Sequence, residues 1–298
     1  MTTATPAAES ARPAPITPPP AWRRFISRNK LGTFGMVVLG AILIMSFIGP
    51  FFLPDSNPTQ VDKIYCQPNA DNWLGCDNRG RDIWYQIVNG GSQLILVSAG
   101  AAIISTFIAI TMGALAALIG GWFESVVLLL TEVVLTVPNV ILLAVLAAFV
   151  SLDSPILMVV ILSATGWPTL LRAVRAQVLS LKEREFVEAA RMLDLGLPRI
   201  LFREVLPNMA SYILINFVLG MTGAIYGQVV LYFLGLVSLS GDNWGLMVDQ
   251  AYRQGAAFTP DGMMFLLAPI VMIVLLMWSL TLVARALEDV FNPRLREA

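Results

Sequence analysis

The chain has 298 residues, of which 57% are hydrophobic and 13% charged, against about a quarter charged in water-soluble domains. A mean hydropathy of +0.73 excludes an ordinary soluble fold, and a net charge of −1 without a basic cluster argues against a nucleic-acid partner. Histidine is absent, which removes histidine-based catalysis and the commonest metal ligand.

Residues 1–22 are rich in Ala, Thr and Pro and cannot bury a core, so they read as a disordered tail. The tail lacks the basic-then-apolar order of a cleavable signal and is expected to be retained. Residues 23–298 read as one all-α transmembrane domain. Crossing the hydrocarbon takes about 20 apolar residues in a helix, because a helix satisfies its own backbone there. Six windows qualify, near 31–52, 94–120, 126–150, 155–177, 209–237 and 263–286. Glu132 is the one carboxylate within them, and its place near a window's end favours pairing with an interfacial Arg.

Six spans put both termini on one side. Most of the 19 Lys and Arg fall at the amino end, at the carboxyl end, or in the loop after the fourth window, which alone carries Arg172, Arg175, Lys182, Arg184, Arg191, Arg199 and Arg203. The opposite side holds Lys63, Arg79, Arg81 and Arg253. By the positive-inside rule the termini and that loop are cytoplasmic. Stretches 53–93 and 238–262 are then exterior and long enough to meet a partner. Cys66 and Cys76 fall in the first, on the oxidising side, either as a disulfide or as two unpaired thiols, and no metal-ligand spacing accompanies them.

The loop at 178–208 is too polar to cross a membrane and too patterned for a linker. It reads as two short helices. Ser180 with Glu183 forms a capping-box pattern opening the first, and Phe186, Ala189, Ala190 and Leu193 recur at helical spacing as one apolar face. Gly196 supplies a stop, Pro198 suits the first turn of a second helix, and Pro207 closes that helix before the fifth span. Such a pattern fits an amphipathic helix lying on the bilayer. The small Ala189 and Ala190 favour close approach to another protein instead.

This segment resembles the EAA loop of bacterial ABC importer permeases, with Glu188, Ala189 and Ala190 followed by Leu206 and Pro207. Where that family usually has Gly, six residues after the Glu, this chain has Asp194, with Gly196 two residues on; the family's apolar position before Leu-Pro is Glu204. Other segments point to the C-type permeases of dipeptide, oligopeptide and nickel importers. WRRFISRNKLGTFG resembles that branch's entry, WLGCDNRGRD its exterior LGTDxxGRD signature with Cys76 at the Thr position, and FNPRLRE its carboxyl end. YFLGLVSLSGDNWGLMV keeps FLGL and Trp244-Gly245 of a Pro-rich pattern but lacks the prolines.

The resemblance implies a plasma (inner) membrane subunit forming half of a peptide pathway. It implies a second permease subunit, two ATP-binding subunits or domains carrying ATP and Mg, and an exterior solute-binding protein. The chain has no phosphate-loop motif, so it is expected to bind no cofactor itself and to be no enzyme. Under this reading Phe186, Glu188, Ala189, Ala190, Leu193, Asp194, Gly196, Leu206 and Pro207 couple to an ATPase. Polar side chains inside the windows, Asn139, Asn216, Thr222, Tyr226 and Gln228, are pathway candidates or glue between helices. Oligosaccharides are the alternative cargo. A secondary transporter would need midmembrane ion sites and inverted repeats, neither of which is apparent.

Overall fold

The computed structural model describes residues 29–238 and 241–291, with the backbone alone at Phe186, Ala189, Arg191, Leu197, Val290 and Phe291. The expected tail, 1–22, and the segment 292–297 of the carboxyl signature lie outside them.

Helix α1, Lys30–Phe47, is capped by the Asn29 side chain, which accepts from the Gly32 N–H, and runs on into a 3₁₀ turn at Gly49–Phe52. A cap of irregular chain follows to Asp82, whose carboxylate accepts from the Trp84 N–H at 2.9 Å and starts α2, Ile83–Ile119. Gly120 and Gly121, both at positive φ (71° and 61°), turn the chain tightly into α3, Gly121–Thr136. Next come α4 (Asn139–Phe149), α5 (Pro155–Gly166), α6 (Pro168–Leu181) and α7 (Glu185–Met192). A helical turn at Leu197–Arg199 and a π-helical stretch at Ile200–Val205 lead into α8, Leu206–Phe233. Helices α9 (Trp244–Arg253) and α10 (Met263–Phe291) are the last among the described residues. Among the described residues the regular structure is helical, with only isolated bridges at Cys76–Asp82 and Leu152–Val237.

Among the described residues four segments are long and apolar enough to cross a membrane: α1, α2, Ile200–Phe233 and Pro260–Asp289. Two bent pairs, α3 with α4 at 94° and α5 with α6 at 49°, raise the number to six if each counts as one span. The windows near 126–150 and 155–177 are thus interrupted, and both interruptions sit at proline. Val137 takes the extended conformation imposed on a residue before Pro138, and Pro168 withdraws a backbone N–H from the helical ladder.

Helix α2 begins eleven residues before its expected window, inside the stretch read as an exterior loop. The cause is packing that hydropathy does not register. Asn89, Ser92 and Gln93 lower the mean, yet Gly90 and Gly91 let α2 meet α9 closely, a Cβ at Gly91 falling 2.7 Å from the Trp244 ring. Trp244 is fully buried and donates from Nε1 to the Ile87 carbonyl at 2.7 Å.

Around α2 lie three apolar clusters. One joins α1, α8, α9 and α10 to its first half. A second joins α4, α5 and the far end of α8. The third gathers α6, α7 and the π-helical stretch around its last turns, so the cap and the 178–208 loop occupy opposite ends of the molecule.

Within the cap, Cys66 and Cys76 form a disulfide with Cα atoms 4.8 Å apart. A loop of this size gains about 2–3 kcal/mol from closure. Replacing both cysteines with alanine should therefore loosen the cap, read as faster proteolysis between 53 and 82. Equal cleavage of variant and parent would show that the bridge adds nothing.

Candidate functional site

The 178–208 loop is held from below by α6. Val174 and Val178 are fully buried on one side of that helix. Their i, i+4 pattern continues the helix to Leu181, so Ser180 lies in its last turn and the expected capping box with Glu183 does not open a helix. Helix α7 starts at Glu185 instead, where the Arg184 carbonyl accepts from the N–H groups of Val187 and Glu188. Glu185 and Glu188 in its first turn suit the positive end of the helix dipole.

The face that α7 turns inward is Val187 and Ala190, at 0% and 5% exposure, packed with Ile200, Leu201, Val205 and Met209. Ala190 therefore braces the loop within its own chain and is not a surface residue, which corrects the expected face of Phe186, Ala189, Ala190 and Leu193. Of that set Ala190 is buried and Leu193 exposed, and helical spacing alone does not say which edge faces the core. The side chains of Phe186 and Ala189 lie outside the described residues. Glu188 is exposed, and the apolar tip open to solvent is Met192 with Leu193, at 80% and 73% exposure.

Asp194 carries the turn that ends α7. Its φ is +53°, and the Leu195 N–H reaches back to the Ala190 carbonyl at 3.2 Å, the six-to-one bond of a Schellman motif with Asp194 at the left-handed position. The stop expected at Gly196 is therefore made two residues earlier. Gly196 has no positive φ, and its carbonyl accepts from Arg199 and Ile200 to start the next turn. A left-handed L-residue costs about 1 kcal/mol that glycine does not. Asp194→Gly should raise the loop's stability by about that amount, measured as slower amide exchange through α7; faster exchange would contradict the assignment.

Pro207 also behaves otherwise than expected. It does not close a second helix; it stands in the first turn of α8, and the helix runs through it from Ile200. The wide π turn makes this possible, since the Leu206 N–H bonds to the Leu201 carbonyl five residues back. Leu206 is half-buried beside Val205, and Pro207 is exposed. Two ion pairs tie α6 to α3, Arg175 with Glu124 and Arg172 with Glu132 at 3.7 Å. Both carboxylates belong to α3, and the more exposed Glu132 pair is of small energetic weight.

The five polar residues proposed for a pathway do not converge. Asn139 is exposed at the start of α4, and Tyr226 is half-exposed on α8. Asn216 and Thr222 return their donors to the carbonyls of Tyr212 and Val218 on their own helix. Gln228 is fully buried between α8 and α2, accepting from the Ser98 hydroxyl, which makes it helix-to-helix glue.

At the capped end the sequence reading missed a polar hub. Asp77 is fully buried and accepts from the backbone N–H groups of Arg79 and Arg81, from Arg81 Nε at 2.8 Å and from Gln86 Nε2 at 3.0 Å. Arg81 in turn faces Asp242 at 3.9 Å, linking the cap to the lead-in of α9. Burial raises the Asp242 carboxyl above its ordinary range, with Arg81 pulling it back down and Asp77 pushing it up. The signal was present in the Asp-x-x-Gly-Arg run, where Gly80 at φ +72° lets the loop fold back onto Asp77.

Residues 109–297 match the model of the binding-protein-dependent transport system inner membrane component family, and residues 20–68 match the N-terminal transmembrane domain of oligopeptide transport permease C. A Brucella ovis protein named as a peptide permease is 33% identical, covering 91% of this chain and 89% of its own. The dipeptide transport system permease protein of Bacillus subtilis is 32% identical over 93% of this chain and 85% of its own. The oligopeptide transport system permease protein of the same organism is 30% identical over 93% and 90%.

Proposed function

The chain belongs to the binding-protein-dependent transport system inner membrane components, the permease subunits of ABC importers, and from that premise we propose that it forms half of a peptide pathway driven through its 178–208 loop. Residues 23–298 act as one permease domain of six spans, the two bent pairs each counting as one. Both termini and the loop face the cytoplasm. The Lys and Arg distribution supports this orientation, and so does a disulfide at the other end, since such bonds persist on the oxidising side.

The observation that carries the coupling role is the exposed Met192–Leu193 tip on a helix braced from within by Val187 and Ala190. An apolar tip on a supported element is the form a docking knob takes, and the brace lets a push reach Ile200–Val205 and α8. The ATP-binding partners supply ATP and Mg; a second permease subunit completes the pathway and an exterior solute-binding protein delivers cargo. Peptide cargo rests on the names of the relatives. Reconstitution in proteoliposomes with the partner subunits should give uptake of labelled oligopeptides that stops without ATP. Uptake by this chain alone, independent of ATP, would replace the importer reading with a secondary transporter.

A further inference from the structure

A cavity of about 650 Å³ opens at the capped end, between the last turns of α1 and the first turns of α2. Its walls are of two kinds. Met45, Gly49 and Val88 make an apolar floor, drawn tight because a Cβ at Gly49 would lie 2.6 Å from the Val88 side chain. Close in sequence to this floor, Ile44 on α1 and Ile48 and Phe51 in and beside the following 3₁₀ turn are exposed apolar side chains. The rim is aromatic and acidic. Trp73 and Trp84 stand with ring centroids 5.6 Å apart, and the carboxylates of Asp71 and Asp82 join them in lining the cavity. Among the described residues no Lys or Arg lines it.

We propose that this cavity binds a phospholipid with a primary ammonium headgroup, an ethanolamine lipid of the outer leaflet. Its acyl chain lies along the apolar floor, and its ammonium meets the Trp73 and Trp84 rings and the two carboxylates. Ammonium over an indole face is favourable where water is partly excluded, and three N–H donors suit carboxylate acceptors. An anionic headgroup would meet two like charges and no counter-charge. Burial raises the Asp82 carboxyl above its ordinary range even though it caps α2, so a cation beside it relieves a desolvated charge. Among the amines the membrane offers, the lipid is favoured over a free peptide by the apolar floor of Met45, Gly49 and Val88 and the exposed Ile44, Ile48 and Phe51 near it in the chain, which suit an acyl chain.

Native mass spectrometry of the purified chain tests this, after exchange into detergent with equal amounts of phosphatidylethanolamine and phosphatidylglycerol of the same chains. We expect retention of the ethanolamine lipid over the glycerol lipid by about tenfold. That preference should fall to near parity in Trp73→Ala and in Asp71→Asn, both exposed positions, with the melting temperature of each variant measured alongside to show that the fold is kept. Equal retention of the two lipids by the parent chain would overturn the proposal, as would undiminished preference in both variants. Displacement of the lipid by a soluble dipeptide at micromolar concentration would also overturn it and reassign the cavity to cargo.

Discussion

Replacing Asp77 with alanine is expected to destabilise the protein by about 3–5 kcal/mol, the range for removing one partner of a buried ion pair. Asp77 has no exposed surface and accepts two backbone and two side-chain donors, while Arg81 is left only 19% exposed. Without the carboxylate, Arg81 keeps Gln86 Oε1 at 3.2 Å and the more distant Asp242, too little to replace what it loses. Asp77→Asn separates charge from geometry, because its amide oxygen still serves the Arg79 and Arg81 N–H groups; its cost should be about half. Thermal unfolding in detergent reads both variants. An alanine variant that melts with the parent would mean the hub is decorative.

The second large effect is at the tip of α7. Leu193→Asp, alone or with Met192→Asp, is expected to reduce ATP-driven uptake by more than about tenfold while insertion and melting temperature stay the same. Both side chains are exposed, so a charge costs nothing in the free subunit. Burying an apolar side chain of this size in a partner's groove is worth about 1.5–3 kcal/mol, and a desolvated carboxylate there adds a penalty. Val187→Asp is the contrasting variant: it should fail to fold the loop, since Val187 has no access to solvent. Copurification of the ATP-binding partner distinguishes them. Undiminished association of a well-folded Leu193→Asp chain would exclude the tip as the contact.

Apolar runs made α1 and α10 legible from residue order alone, because each holds a long hydrophobic stretch whose charges sit only toward one end, Lys30 in α1 and Arg285, Glu288 and Asp289 in α10. The start of α2 was hidden by residues chosen for contact with Trp244 and not for lipid. Pro138 and Pro168 were visible as residues, but a bend of 94° at one and 49° at the other is set by neighbouring helices that sequence does not rank. In the loop, hydrophobic spacing locates a stripe to within one residue, and the structure puts Ala190 on its inner side while Leu193 is exposed. Asp194 stands where the resembled loop pattern has glycine, yet only its φ of +53° reveals that it takes the left-handed position glycine would. Gln228 and Tyr226, two residues apart, illustrate the same ambiguity, since a helix turns about 200° between them and one polar group faces its own chain while the other faces out.

The unbroken run from Ile200 through Phe233 has a mechanical consequence. At about 1.5 Å per residue it is a rod about 50 Å long. Pivoted at its middle, it carries each end about 4 Å in opposite directions for a tilt of about 10°. If the proposed coupling acts on this rod, a nudge beneath the π turn would reach Phe233, whose ring lies 5.0 Å from that of Tyr252 at a tilt of 51°. That aromatic contact is where a stroke begun at one face of the membrane would first be felt at the other.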